Sequence, residues 1–126
     1  MLVKDYQAKL LGIIQNYLDS RIVITYNFSV DSRSSYIALI QGKLEFKDGS
    51  HLFFKEFIDL QEYIEKLSYS FHYQDQENNI IFRYDNAKHK PDLGYSHHKH
   101  INNQIIPSII PESQAIITEI IDNYLN

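Results

Sequence analysis

The chain has 126 residues, 44% of them apolar, and a formal net charge of -4. This length suits a single domain with a real core, and the negative charge argues against the uniformly basic surface of a general nucleic-acid binder. The absence of cysteine excludes disulfides and thiolate metal ligands. No apolar run approaches the ~18 residues of a membrane span, and the amino terminus lacks the apolar core of a signal peptide. We therefore expect one soluble, cytoplasmic domain over residues 1–126.

The amino-terminal half reads as a helix followed by hairpin-linked strands. Apolar side chains recur at spacings of three and four over residues 3–19, which predicts an amphipathic helix. Two runs rich in β-branched and aromatic residues, 21–30 and 35–46, predict a hairpin. The Asp48-Gly49 turn then leads into a third strand, HLFFKEF. The next residues fit a helical turn or two near 59–65.

Two further strands and a second helix complete the predicted fold. SYSFHYQD and IIFRYD, joined by the turn QENN, are the fourth and fifth strands, and residues 98–101 form a short sixth. Pro107 and Pro111 are typical of helix starts, and the apolar stripe that follows predicts a helix over about 111–125. The order indicates an α+β domain, with an antiparallel sheet of five to six strands covered on one face by the terminal helices.

The polar stretch RYDNAKHKPDLGYSHHKHI, residues 83–101, is the basic part of the chain. It holds four of the six histidines and four of the twelve lysines and arginines. Four cations against two carboxylates give it a fixed charge of +2, so the remainder carries -6. Pro91 and Gly94 mark it as a loop, where binding and catalytic groups concentrate. A polyanion is expected to meet the protein here.

The residue types in this stretch suit cleavage of a phosphodiester by a neighbouring 2'-hydroxyl. That reaction needs a proton acceptor, a proton donor and a cation that stabilises charge on phosphorus. Because side chains alternate along a strand, His98 and His100 share one face, and His97 and Lys99 share the other. The predicted roles are an acid–base pair, His98 and His100; phosphate contacts, Arg83 and Lys99; and orienting or auxiliary groups, Asp85 and His89. Further binding candidates are Tyr84 and Tyr95 for base stacking, with Asn86, His97 and Lys88 around them.

Three other interpretations remain open for the same stretch. His98 and His100, with His89 or Asp85 as a third ligand, could hold a metal ion in a metal-dependent hydrolase. A non-enzymatic module could bind protein or nucleic acid through the loop, or the loop could be merely solvated. The leading prediction is a metal-free site without a cofactor. His51 and His72, within strands, are expected to be structural.

The strings FRYDNAKHKPDL, SHHKH and IIPS resemble the motif of the TumE family, toxins of type II toxin–antitoxin pairs. The resemblance extends to YSFHYQD and the DGS turn, so it spans most of the chain. Where the family often has a second histidine after His89, this chain has Lys90. The matching positions are Arg83, Tyr84, Asp85, Asn86, Ala87, His89, Pro91, His97, His98, Lys99 and His100.

The resemblance implies a growth-inhibiting toxin encoded with an antitoxin, often a helix-turn-helix protein that binds DNA. It implies no particular chemistry. With the residue pattern, it leads us to expect a toxin that acts as a metal-independent endoribonuclease. The expected partners are the antitoxin and RNA but no membrane, and a homodimer is compatible with the sequence.

Overall fold

The computed structural model describes residues 1–89 and 92–125. Lys90, where the chain departs from the family motif, and the loop proline Pro91 therefore lie outside the described residues. Within these ranges two helices accompany a seven-stranded antiparallel sheet, in which each strand pairs with the next in sequence. The α+β class is confirmed, with more strands than predicted. The helices and strands are α1 Val3–Asp19, β1 Val23–Ser32, β2 Ile37–Phe46, β3 His51–Asp59, β4 Glu65–Gln74, β5 Ile80–Asp85, β6 His98–Ile101, β7 Gln104–Pro107 and α2 Ser113–Tyr124.

Alternation along the strands separates a helix-covered face from an open face. Alternate residues of β2 and β3 are buried, as a half-buried strand requires. The apolar stripes of both helices converge on the buried side, where Leu10, Ile14 and Ile117 share a contact region with Leu44 and Phe71. Each fully buried side chain of this kind contributes roughly 1.5–3 kcal/mol. The opposite side, which we call the open face, is therefore left to polar and basic side chains.

The predicted helical turn near 59–65 is wrong. β3 continues to Asp59 and β4 begins at Glu65, with only bends between them. Leu60 is buried, and its backbone N–H donates to Tyr36 O at 2.8 Å, beyond the end of β3. Tyr63 is exposed, so the helical spacing there covers no core. Pairing with the neighbouring strand prevails over the local periodicity.

The strand β7 was not predicted. Asn102 and Asn103 both have positive φ, 51° and 60°, which is the backbone of a tight two-residue hairpin turn. β7 therefore folds back on β6 and ends at Pro107. The assignment of Pro107 to a helix start is thus wrong, because that proline closes an edge strand, where a missing N–H is tolerated. The helix begins later, at Ser113.

Candidate active site on the open face

Pairing of β5 with β6 assembles the centre of the site. Asp85 lies opposite His98, and Arg83 lies opposite His100. Directly opposed residues project from the same side of a sheet. Strand alternation therefore places His98 and His100 together, as expected from the sequence, and the register adds Arg83 and Asp85 to the same patch of the open face.

A third imidazole joins from the loop after β5. The Nε2 atom of His89 lies 2.8 Å from Nε2 of His98, and the ring centroid of His89 is 5.4 Å from that of His100. One potential ligand atom from each of four side chains falls within 4.8 Å of the others. We call this set, Asp85, His89, His98 and His100, the histidine cluster.

The carboxylate of Asp85 is the centre of charge in the cluster. Asp85 is only 4% exposed. Arg83 Nε donates to its Oδ2 at 2.7 Å, and His98 Nε2 lies 2.5 Å from its Oδ1. His100 Nε2 is 3.7 Å from Oδ2. The carboxylate of Asp85 thus contacts Arg83, His98 and His100, and its orienting role stays a prediction.

The two strand histidines differ in their surroundings. His98 is 1% exposed, and its Nδ1 lies 2.9 Å from the carbonyl oxygen of Ser96, an acceptor that holds the proton on Nδ1. His100 is partly exposed. Burial lowers the pKa of His100, the charge of Asp85 partly offsets this, and His98, His89 and Arg83 add to the lowering. The lowered pKa favours the neutral imidazole of His100, which can accept a proton or a metal ion.

Two predicted contacts lie on the helix-covered side of the sheet. Lys99 Nζ donates to Glu119 Oε2 at 3.0 Å and lies 4.9 Å from the Tyr84 ring centroid. The Tyr84 hydroxyl donates to the other oxygen of Glu119. Both side chains alternate with the cluster residues and so point away from them. The structure therefore does not bring Lys99 and Tyr84 to the cluster, where phosphate contact and base stacking were predicted.

The remaining binding candidates have varied surroundings. Asn86 accepts from the Tyr69 N–H and donates to Leu67 O, both at 3.1 Å, so it extends the strand pairing. His97 stacks on the Tyr69 ring at 5.8 Å. Lys88 is exposed, and the Tyr95 ring lies 6.5 Å from that of His98. Among these, Tyr95 is beside the cluster.

A groove across the open face was missed from the sequence. It has a volume of about 820 Å³ and leads from Arg83 across β4, β3 and β2 to β1. His72, expected to be structural, lies opposite Arg83, with Nδ1 3.4 Å from Nη1. Lys43, Lys55 and Phe53 also line it. We call this the basic groove. The alternation within each strand and the hairpin links were predicted, but the register that places these residues beside one another was not.

His51, by contrast, agrees with the structural role expected for it. Its Nε2 lies 3.1 Å from Glu45 Oε1 on the neighbouring strand. His51 is not among the residues that line the basic groove.

His72 should titrate below the usual histidine pKa of about 6.5. Burial lowers its pKa first, Arg83 lowers it further, and a hydrogen bond to Gln74 partly opposes them. Protonation of His72 then opposes folding, so its contribution to stability is present above about pH 6.5 and is lost as pH falls through the lower, folded-state pKa. An NMR titration should show the pKa rise in Arg83→Gln and stay constant in Arg33→Gln, whose cation pairs with Asp31 instead. A pKa at or above 6.5 in the unaltered protein would contradict this.

The comparisons with known proteins identify a family. The family model described as Toxin TumE matches residues 12–124. No curated protein and no solved structure matches the chain. Over the described ranges, neither helix is long and apolar enough to cross a membrane. Because the family match covers nearly the whole chain, this protein belongs to the TumE toxin family. It is therefore the toxin of a toxin–antitoxin system, and its partner is an antitoxin.

Proposed function

We propose that this toxin inhibits growth by cleaving RNA at the histidine cluster. The observation that carries the proposal is the position of the cluster: three imidazoles, a buried carboxylate and Arg83 meet where the basic groove ends. Proton-transfer groups and a phosphate-binding cation are thus adjacent to a surface long enough for several nucleotides.

The basic groove has the chemistry of a single-stranded RNA site. Lys43, Lys55 and Arg83 supply cations, and none of the described lining residues is acidic. Phe53 is 38% exposed, with its ring 6.1 Å from that of His72. Single-stranded nucleic acid binds where cations follow the backbone and aromatic rings stack on bases. The groove is therefore proposed to place a phosphate beside Arg83.

The chemical step is a transesterification that consumes neither water nor a cofactor. The 2'-oxygen forms a bond to phosphorus and gives up its proton, while the bond from phosphorus to the 5'-oxygen breaks and that oxygen gains a proton. In the metal-free route expected from the sequence, His100 accepts the first proton and Arg83 stabilises the phosphorane. His98 is buried, so the loop residue His89 is better placed than His98 to donate the second proton, and His98 and Asp85 position the others.

The test is incubation of purified, untagged toxin with total RNA and with a short single-stranded RNA between pH 5 and 8. Parallel samples contain a chelator, Zn²⁺ or Mn²⁺. We expect cleavage products that end in a 2',3'-cyclic phosphate, and no cleavage of a strand with a deoxyribose at the cut position. RNA that stays intact in every sample would overturn the proposal.

Lysine variants test the groove in the same assay. Lys43→Gln and Lys55→Gln should raise KM with little change in kcat. Each should lower the slope of log affinity against log salt by about 0.7, because one counterion fewer is released. Lys4→Gln is the matched control, since Lys4 lies on α1, outside the basic groove. Equal RNA affinity in all three variants would remove the groove from the proposal.

The alternative function is a non-enzymatic module that binds RNA or protein through the same residues. Replacing His89 and His100, the two proposed proton-transfer groups, by Gln separates the two functions, because glutamine keeps hydrogen bonding but does not transfer protons near neutral pH. Loss of growth inhibition with retained RNA binding supports cleavage. Unchanged growth inhibition with retained binding supports the module.

The antitoxin is proposed to be a helix-turn-helix DNA-binding protein that neutralises the toxin by covering the loop after β5. An antitoxin bound over this loop would block the access of RNA to the histidine cluster. A neighbouring reading frame that encodes such a protein, and its co-purification with the toxin, would support the pairing. An antitoxin of another fold would contradict it.

A further inference from the structure

We infer that Asp85, His89, His98 and His100 form a binding site for one divalent transition-metal ion. Zinc bonds of 2.0–2.2 Å place neighbouring tetrahedral ligand atoms about 3.3 Å apart. The distances from His98 Nε2 to His89 Nε2 and to Asp85 Oδ1 are 2.8 and 2.5 Å, and that from His100 Nε2 to Asp85 Oδ2 is 3.7 Å. These three distances lie on both sides of the ideal spacing, and all four ligand atoms lie within 4.8 Å of one another, so side-chain adjustments without backbone rearrangement would complete the site.

The orientation of His98 is the first argument. Its Nδ1 lies 2.9 Å from Ser96 O, so in the neutral ring the proton is on Nδ1 and the lone pair of Nε2 points into the cluster. There it meets a carboxylate oxygen and a second imidazole nitrogen. Three lone pairs at this separation repel one another unless a metal ion or a proton lies between them, and the cluster offers the ligand atoms for a metal ion. A backbone carbonyl on the outer nitrogen is also the usual support of a metal-bound histidine.

Two buried atoms without partners are the second argument. In the described part of the chain, neither Asp85 Oδ1 nor His100 Nε2 has a hydrogen-bond partner, although His98 Nε2 is close to the former. A buried polar atom left unsatisfied is costly, and native proteins contain few of them. Both atoms belong to the set of mutually close potential ligands. One ion at the centre would satisfy both.

The donor set selects the kind of ion. Three imidazoles and one carboxylate, without a thiolate, suit Zn²⁺ and neighbouring transition metals, whereas Mg²⁺ and Ca²⁺ prefer oxygen ligands throughout. Arg83 Nε donates to Asp85 Oδ2, which holds the carboxylate in place. His89 and His100 are partly exposed, so an ion can enter from the open face. Zn²⁺ is therefore the ion we expect.

The ligands also differ in how firmly they are held. Asp85, His98 and His100 lie on paired strands, whereas His89 comes from the loop after β5. His89 is thus the ligand that a substrate phosphate could replace, which would give the open position that catalytic zinc sites need. Catalytic use of the ion rests on the proposed function. The ion would then replace the metal-free route by polarising the phosphate that the 2'-oxygen attacks. Binding of the ion does not rest on the proposed function.

The test is calorimetric titration of ZnCl₂ into untagged toxin freed of metal with a chelator. We expect one ion per chain, bound stoichiometrically at micromolar protein. His89→Gln, a change in a loop, should weaken binding at least about 100-fold, the upper range for lost support of a site. His51→Gln, on the same face but outside both the ligand set and the basic groove, should bind like the unaltered chain.

Cobalt substitution gives a readout that does not depend on affinity alone. Co²⁺ in the unaltered chain should show the intense visible bands of tetrahedral coordination, which His89→Gln should lose. The inference is overturned if the unaltered chain binds no ion, or if His89→Gln and Asp85→Asn bind Zn²⁺ as it does. RNA cleavage by a verified metal-free protein would refute the catalytic use of the ion but leave cleavage standing. A bound ion without RNA cleavage would refute the proposed function but leave the metal site standing.

Discussion

Asp85→Asn should abolish growth inhibition while leaving the fold intact. The carboxylate accepts from Arg83 Nε and lies beside Nε2 of His98 and His100, so it holds three groups of the proposed active site. Asparagine preserves the shape but removes the charge that pairs with a proton, a guanidinium or a metal ion. Loss of one preorganised charged contact lowers catalysis by about 10²–10³-fold. Surviving colonies after induction of toxin without antitoxin should rise by a comparable factor.

The matched control is Asp92→Asn, the same substitution in the same polar stretch. Asp92 is exposed, and its Oδ1 accepts from the Gly94 N–H at 2.8 Å, a contact that asparagine retains. This variant should remain fully toxic. Soluble yield and thermal melting of Asp85→Asn must match the unaltered chain, since Asp85 is buried. Full toxicity of a folded Asp85→Asn variant would show that the histidine cluster is not responsible for growth inhibition.

Local periodicity was sufficient to predict a helix or strand that buries one regular stripe of apolar side chains. The helix α1 has the predicted bounds, because Val3, Tyr6, Leu10 and Ile14 place one apolar face on the sheet. Periodicity failed at residues 59–65, where pairing with the neighbouring strand decides the conformation. It also missed β7, whose four residues are all exposed and carry no alternation. Short edge elements leave little pattern in a sequence because they bury little.

The site was predictable only in part, for a similar reason. Alternation within β6 is a local property, so the shared face of His98 and His100 could be deduced, as could the opposite direction of Lys99. Their contacts with β5 depend on a register set across the connection formed by residues 86–97. The basic groove takes Lys43 from β2 and Lys55 from β3, whose hairpin was predicted but whose register, with Lys43 opposite Phe53, was not. Long-range pairing is the information that a single sequence does not display.

A buried ion pair joins the helices to the sheet, and its loss should have the largest effect on stability. Glu56 on β3 is 0% exposed, and Lys66 Nζ on β4 lies 3.3 Å from its Oε2. The Tyr6 hydroxyl of α1 donates to Oε2 at 2.6 Å, and Ser113 of α2 donates to Oε1 at 3.1 Å. Burial and Glu56 together raise the pKa of Tyr6 far above its ordinary value, so that hydroxyl remains a donor. One carboxylate thus connects four elements.

Lys66→Met should lower the free energy of unfolding by about 3–5 kcal/mol, because it leaves the Glu56 charge buried without its cation. In urea this appears as a lower midpoint with an unchanged slope. Adding Glu56→Gln should recover much of the loss, since removing both charges is far less costly than removing one. Lys55→Met, one residue from Glu56 but exposed on the open face, should change stability by less than about 0.5 kcal/mol. If Lys66→Met were equally mild, Glu56 would have to be neutral or hydrated in the folded protein, and the four-element junction would rest on its hydrogen bonds alone.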